Sequence, residues 1–209
     1  MNQKQRVLHP KVFVCVLSLQ FRTFATEKKS CSHAQQMSEL LVLGGENAGK
    51  SLFVRRVQEY AVSSGWDCTL SSEATQPTVG VEIHELCIRS TKQLVALREI
   101  GSALSSQWVK YIPQSSHIIF LIDTSDMGHL SSALVLLHGV LHDAQGKRVL
   151  IAFNKLDLVD KFSYIAANNF FRIEEIKRNN PNVAVVYGSC MDSSLSSSAI
   201  MWITAQGTT

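Results

Sequence analysis

One glycine-rich stretch, GGENAGKS, has residue types and spacing suited to chemistry on phosphates. It matches the pattern GxxxxGK[ST] and lies between an apolar run and an amphipathic segment. Glycines let the backbone approach a phosphate, and loop N–H groups then face the anion. A lysine adds positive charge for the outer phosphates, and a serine hydroxyl can ligate Mg²⁺. The candidate nucleotide-binding residues are Gly44, Gly45, Glu46, Asn47, Ala48, Gly49, Lys50 and Ser51, the last also a metal ligand.

A second polar motif, NKLD, predicts which base is bound. It follows the apolar run RVLIAF, and Asp157 can accept hydrogen bonds from the ring N–H and the amino group of guanine. Adenine offers neither donor and would leave the acceptor unpaired, so such a site can discriminate by ~10⁴ or more. We expect Asn154 to brace the loop and the Lys155 stem to lie along the base. The motif therefore disfavours a kinase or ATPase.

The stretch GSC, residues 188–190, ends the last apolar run. A backbone N–H here can meet the guanine carbonyl oxygen, which makes Ser189 and Cys190 candidate nucleotide-binding residues. An ordinary turn explains the same three residues equally well. Both interpretations stay open on the sequence.

Apolar runs that alternate with amphipathic segments must position these motifs. The short runs LLVL, HIIFLI and RVLIAF are typical of buried parallel strands. Helices are predicted over KSLFVRRVQEYAV, LSSALVLLHGVLHDA, FFRIEEIKRNN and SSLSSSAIMWITA, and a hairpin from TVGVEIHELCI to KQLVALREI. This alternation indicates an α/β fold with a mostly parallel sheet and helices on both faces. Ligands of such sheets bind beyond the carboxyl ends of the strands.

Together these residues resemble a small GTPase of the Ras superfamily, which has the P-loop NTPase fold. The stretch QWVKYIPQSSHIIFLIDTSD is similar to the Arf-like branch, where a Trp and a Tyr precede a strand ending in Asp-x-x-Asp. The resemblance implies GTP or GDP with Mg²⁺ as cofactors, and effector and regulator proteins as partners at the switch surface. It also implies that Thr78 of PTVG contacts Mg²⁺ and the γ-phosphate. Residues 79–100 would form an interswitch hairpin that slides when the nucleotide changes.

The segment REIGSA, residues 98–103, departs from the family pattern Trp-Asp-x-Gly-Gly-Gln. Glu99 carries a carboxylate one methylene longer than Asp, and Gly101 is expected to place its N–H against a γ-phosphate. Ser102 and Ala103 replace Gly and the Gln that orients the attacking water, so no catalytic residue is assigned. We expect a GTP-binding switch of the Arf-like type that recruits effectors in its GTP state and hydrolyses GTP slowly. The alternative is a pseudo-GTPase scaffold that holds GTP without cycling.

The chain has 209 residues and a mass of 23.2 kDa, which fits one domain with an additional segment. Residues 37–209 form the predicted GTPase domain, and residues 1–36 form a leader that is disordered or serves in targeting. A net charge of +3 without a long Lys/Arg run predicts no nucleic-acid partner. Five scattered cysteines form no CxxC pair, which indicates free thiols. We expect a monomer.

The leader is basic and has no acidic residue before Glu27, a composition shared with mitochondrial targeting segments. Its longest apolar stretch, VFVCVLSLQF, is shorter than the roughly 18 residues that a membrane-spanning helix needs. Asn2 stands where an N-myristoylated chain has glycine. We therefore expect a cytoplasmic protein with at most weak peripheral membrane contact, and mitochondrial import is the alternative.

Overall fold

A computed structural model describes residues 38–62, 75–159 and 164–205 of the chain. The predicted leader, residues 1–36, and residues 63–74 after the first predicted helix lie outside these ranges. The domain boundary between residues 36 and 37 therefore stays a prediction. Within the described ranges, no helix has the length and apolar character to span a lipid bilayer.

Within the described residues, six strands form a single sheet. They are β1 (Ser38–Gly44), β2 (Val81–Ile88), β3 (Gln93–Ile100), β4 (His117–Asp123), β5 (Arg148–Asn154) and β6 (Val183–Tyr187). Their order is β2-β3-β1-β4-β5-β6; the edge strand β2 pairs antiparallel with β3, and the other four pairings are parallel. The mostly parallel sheet predicted from the short apolar runs is confirmed. Its carboxyl edge carries the ends of β1, β4 and β5, where the polar motifs begin.

Helices cover both faces of the sheet. They are α1 (Lys50–Val62), α2 (Trp108–Tyr111), α3 (Leu130–Asp143), α4 (Tyr164–Phe171), α5 (Ile173–Asn179) and α6 (Ser194–Thr204). Successive side chains of a strand point to opposite faces. Leu40 and Val42 of β1 accordingly join the core that contains α1 and α6, while Leu41 and Leu43 join the core that contains α2 to α5. Burial on both faces explains why these strands are continuously apolar.

The predicted helix FFRIEEIKRNN is interrupted in the structure. Helix α4 begins earlier, at Tyr164, and ends at Phe171, and α5 begins at Ile173. Arg172 between them has a left-handed backbone with φ of 51°. Phe171 and Ile173 are both fully buried. Since residues two apart point about 200° away from each other on one continuous helix, the kink at Arg172 lets both side chains face the core.

The chain between β3 and β4 is more helical than its sequence pattern indicates. Two 3₁₀ turns, Ser102–Gln107 and Ile112–Gln114, flank the single turn of α2. Trp108 is 3% exposed, and its ring meets Phe120 of β4 edge-on with centroids 6.2 Å apart. A buried aromatic anchor, not an apolar repeat along the segment, therefore fixes these turns against the sheet.

Candidate functional site

Residues 44–51, here called the phosphate loop, join β1 to α1 and follow a tightly constrained path. Gly44 has φ of +153°, and a Cβ at this position would lie 2.5 Å from the Leu121 carbonyl oxygen. Gly49 has φ of +86°, and a Cβ there would lie 2.5 Å from Asn154 Nδ2. Both positions therefore require glycine because of backbone conformation and close neighbours.

Lys50 lies at the start of α1, almost fully buried, with its amine turned back on the phosphate loop. Its Nζ donates hydrogen bonds to the carbonyl oxygens of Gly44 at 3.1 Å and Gly45 at 2.8 Å. Burial lowers the pKa of Lys50, and the carboxylates of Glu99 and Glu46 oppose that effect. Phosphate groups at this loop would supply the negative charge that a buried ammonium needs.

Three side-chain oxygens converge beside the phosphate loop. Ser51 Oγ lies 2.9 Å from Thr78 Oγ1, and each hydroxyl is 2.7 Å from Glu99 Oε1. The two residues expected from the sequence to hold metal are therefore in contact, and Glu99 spans both despite its extra methylene. Hard oxygen donors in this arrangement are the ligands that Mg²⁺ prefers. The residues present fit a magnesium ion bound together with phosphates.

Gly101 lies at the end of β3, but its N–H already has an acceptor. It donates to the Gly80 carbonyl oxygen at 2.9 Å. A Cβ at Gly101 would collide with the Thr78 carbonyl oxygen, so glycine is required here. The expected contact between this N–H and a γ-phosphate is not available in this conformation and requires release of the bond to Gly80.

Asn154 connects the phosphate loop to the loop after β6. Its Nδ2 donates to the Ala48 carbonyl oxygen at 2.9 Å, and its Oδ1 accepts from the Cys190 N–H at 3.0 Å. Asn154 is 1% exposed, so these bonds satisfy a buried amide. The side chain thus occupies the bracing position that the sequence predicts for it.

Asp157 and Ser189, distant in sequence, meet beyond the carboxyl ends of β5 and β6. Ser189 Oγ donates to Asp157 Oδ1. Ser189 Oγ in turn accepts a hydrogen bond from the Met191 N–H at 2.9 Å. The sequence placed Ser189 near the base only through its backbone, and the contact of its hydroxyl with Asp157 was missed. That contact fixes the orientation of the carboxylate while leaving its second oxygen for a ligand.

Lys155 pairs with Asp123 at the ends of neighbouring strands. Its Nζ lies 2.6 Å from Asp123 Oδ2, and the Asp123 side chain is 9% exposed. The sequence interpretation gave Asp123 no role beyond ending β4. Asp123 and Asn154 are register partners across β4 and β5. The sequence does show that both strands end in polar residues. If β4 and β5 are adjacent and parallel, these ends lie side by side, so the contact could have been predicted from that pattern.

The backbone N–H groups of residues 188–190 are all engaged within the protein. Their acceptors are Phe153 O at 3.0 Å, Ser194 Oγ at 3.1 Å and Asn154 Oδ1 at 3.0 Å. A bond from this stretch to a guanine carbonyl therefore requires exchange of one of these contacts. Cys190 is buried beside them, and burial raises the pKa of its thiol to about 12. Its thiol is neutral at physiological pH.

A cavity of about 780 Å³ opens from the phosphate loop toward the start of α3. Its wall includes Lys50, Thr78 and Ala103 at one end and His129 and Leu136 at the other. The predicted base-reading residues of β5 and β6 are not part of this wall. The candidate site therefore has two neighbouring parts, a phosphate part within the cavity and a base part around Asn154, which joins them.

Comparison with known proteins gives the family. The family model described as ADP-ribosylation factor family matches residues 24–206. ADP-ribosylation factor-like protein 16 of Homo sapiens is 31% identical over 138 residues, covering 65% of this chain and 68% of that protein. ADP-ribosylation factor-like protein 3 of Saccharomyces cerevisiae is 30% identical over 132 residues, covering 61% of this chain and 64% of that protein.

A solved structure shares the fold. The Arl6 BBS3 small GTPase from Trypanosoma brucei, determined with the bound nucleotide analogue GppNp, superposes with a TM-score of 0.65 at 14% identity. The likeness covers 81% of this chain and 96% of that one. The sheet order and the phosphate loop are thus those of the P-loop NTPase fold in its small-GTPase form. The chain belongs to the ADP-ribosylation factor family, whose members are GTP-binding switches.

Proposed function

We propose that this protein binds GTP and GDP with Mg²⁺ and uses the difference between the two nucleotides to recruit effector proteins. The observation that carries the proposal is the position of Asn154. This side chain bonds to Ala48 of the phosphate loop and to Cys190 in the loop beside Asp157. A single nucleotide that lies along these loops would place its phosphates at the phosphate loop and its base at Asp157.

Guanine recognition is assigned to Asp157. Ser189 orients the carboxylate through Oδ1, and the residue is exposed enough to meet a ligand. Guanine presents a ring N–H and an amino group to one carboxylate, whereas adenine presents no donor at the equivalent edge. A site that depends on such pairing rejects the analogue lacking the donors by ~10⁴ or more.

Phosphate and metal binding is assigned to the phosphate loop, Lys50, Ser51 and Thr78. The contact of both hydroxyls with Glu99 Oε1 supports a magnesium ion held near these oxygens. When bound, Mg²⁺ would neutralise charge on the phosphates. Lys50 would exchange its carbonyl acceptors for phosphate oxygens, which are stronger acceptors for an ammonium.

The switch would depend on Thr78 and the segment around Gly101. A γ-phosphate would compete for Thr78 and for the N–H groups at the end of β3, and its loss would release them. Val79 and Ile83, exposed to 95% and 59%, lie beside these groups. Apolar side chains exposed next to a nucleotide-sensitive segment support an effector surface there. We propose that the protein acts as a monomer and binds its effectors through this surface.

Hydrolysis is proposed to be slow because of Ala103. Its methyl group lines the cavity where a Gln would orient water, and the side chain has no polar atom. The lack of a polar atom at this position also supports a second candidate function, a scaffold that binds GTP without hydrolysing it. The two candidates share the nucleotide site and differ in turnover, which a single-turnover assay separates.

The first experiment is a competition assay with a fluorescent guanine nucleotide. GTP and GDP should displace it, and ATP should not do so at comparable concentrations. Asp157→Asn should weaken GTP binding by about 10²-fold or more and admit xanthine nucleotides, since the amide reverses donor and acceptor at the base edge. Asp143→Asn, a matched change on α3, should leave binding unchanged. Equal competition by ATP and GTP would refute guanine recognition.

A further inference from the structure

Strands β2 and β3 bring two carboxylates and an imidazole together beside the proposed nucleotide site, with which this group shares Glu99. Glu82 lies directly opposite Glu99 in the antiparallel register, and His84 is two residues further along β2. Residues two apart on a strand share a face, so all three side chains lie on the same side of the hairpin. One ligand atom from each lies within 4.8 Å of the other two.

Two members of this group, Glu99 and His84, each have a polar atom that is shielded from solvent and makes no hydrogen bond in the described part of the chain. Glu99 is 1% exposed, and its Oε2 makes no hydrogen bond within the described part of the chain. His84 Nε2 is likewise shielded from solvent without a hydrogen bond there and lies 3.5 Å from Glu82 Oε2. An unsatisfied buried carboxylate oxygen is unfavourable and calls for a partner.

We propose that Glu82, His84 and Glu99 bind a divalent transition-metal ion of the Zn²⁺ class. Imidazole nitrogen with carboxylate oxygen is a common donor set for zinc, whereas Mg²⁺ binds oxygen ligands almost alone. Two carboxylates balance the charge of the ion, and a neutral imidazole adds a strong ligand. Glu82 and His84 are partly exposed, which gives the ion an entry path and leaves positions for water.

The site is distinct from the magnesium position but adjoins it through Glu99. Oε1 of this carboxylate accepts from Ser51 and Thr78, whereas Oε2 has no such contact. In this proposal, Oε1 of Glu99 therefore faces the magnesium position and Oε2 binds the second metal ion. A metal on β2 and β3 would stabilise the present arrangement of the hairpin, because a ligand that binds only this arrangement favours it by mass action.

The test is metal binding to the purified full chain after treatment with a chelator, in excess Mg²⁺. Zn²⁺ would be titrated calorimetrically, and Co²⁺ would be followed by visible absorption. The expected result is one bound ion with the d–d bands of nitrogen and oxygen ligands. His84→Ala and Glu82→Gln should each weaken binding by about 10-fold or more, since even residues outside the ligand shell can cost that much. His142→Ala, an exposed histidine on α3, should bind like the wild type.

Three results would overturn the proposal. They are equal Zn²⁺ affinity of the wild type and His84→Ala, no binding of either ion, and a cobalt spectrum with thiolate charge-transfer absorption, which would place the metal at cysteines. Circular dichroism melting shows whether each variant is folded. Because Glu82 is 54% exposed, Glu82→Gln carries the test if His84→Ala does not fold. The readout needs no nucleotide, so its failure is separate from failure of the GTP proposal.

Discussion

The Arg98 guanidinium faces the Glu39 carboxylate with two close contacts across β3 and β1. Nε lies 2.8 Å from Oε1, and Nη2 donates to Oε2 at 3.0 Å. The side chains are 19% and 25% exposed, and the guanidinium also lies 5.7 Å from the centre of the Tyr111 ring. Paired planar groups of this kind combine charge with a fixed geometry. The pair therefore holds β3 against β1 at a position where the family pattern has Trp.

Glu39→Gln should destabilise the fold. The change keeps the size of the side chain but leaves the Arg98 charge largely withdrawn from water without its counterion. We expect a loss of about 1–3 kcal/mol in the free energy of unfolding, less than for a fully buried pair because both groups retain some solvent. Urea unfolding measures it. Glu175→Gln, which breaks the exposed pair of Glu175 with Arg172, should cost less than about 1 kcal/mol.

Asn154→Ala should lower both stability and nucleotide affinity. It leaves the Ala48 carbonyl and the Cys190 N–H without their partner, at a cost of about 1–3 kcal/mol in unfolding free energy. GTP binding should weaken because the two loops lose their connection. Asn182→Ala is the control, since Asn182 makes an exposed bond to the Gly146 carbonyl. A wild-type GTP affinity in Asn154→Ala would show that the loops are held without this side chain.

Cys190 should resist alkylation in the folded protein. Burial raises its pKa from 9.0 to about 12, so the reactive thiolate is scarce at pH 8. The folded state keeps the proton that the unfolded state loses above about pH 9, so this thiol contributes stability that is lost as pH rises from 9 toward 12. Iodoacetamide labelling followed by peptide mass spectrometry should modify Cys190 in urea but not in buffer. Equal labelling under both conditions would contradict the raised pKa.

Restoring Gly at Ser102 and Gln at Ala103 should speed GTP hydrolysis. The Gln amide can orient the attacking water, and each ~1.4 kcal/mol of transition-state stabilisation gives a tenfold faster step. GTP affinity should change little, because the water is not part of the bound nucleotide. Single-turnover hydrolysis measures the rate. Ser102→Gly with Ala103→Leu adds comparable bulk without a polar group and should stay slow. A fast wild-type rate that neither variant alters would mean that another group orients the water.

A fusion of residues 1–36 to a fluorescent protein should be diffuse in the cytoplasm. The leader has basic residues but no long apolar stretch, which favours at most weak interfacial binding. Microscopy and immunoblotting measure location and processing. A fusion with Lys4, Arg6 and Lys11 changed to Gln is the control for charge. Mitochondrial fluorescence with cleavage, lost in that control, would establish import instead.

Features that depend on neighbouring residues in sequence were predictable. The phosphate loop follows from fixed spacing within eight residues, and the strands follow from short apolar runs buried on both faces. Contacts between distant residues were not predictable in the same way. The pairs Arg98–Glu39 and Lys155–Asp123 depend on which strands are adjacent and in what register. Neither register nor strand order is encoded in a local pattern.

Backbone hydrogen bonds and backbone conformation were the properties hardest to predict from the sequence. The sequence allows the Gly101 N–H to face a phosphate, but only the structure reveals its bond to the Gly80 carbonyl. The same holds for Arg172, whose left-handed conformation divides a segment that has a continuous helical pattern. In both cases packing by distant residues selects one of several conformations that the local sequence permits.

The close approach of Gly49 to Asn154 restricts how this protein can change over evolutionary time. Any side chain at position 49 would meet the Asn154 amide at 2.5 Å and would also be strained by the positive φ. A smaller residue at position 154 would relieve the first problem but would disconnect the two loops. The two positions, 105 residues apart, are therefore epistatic. A substitution at either position alone is therefore expected to strain the phosphate loop or to weaken its connection to the loop after β6.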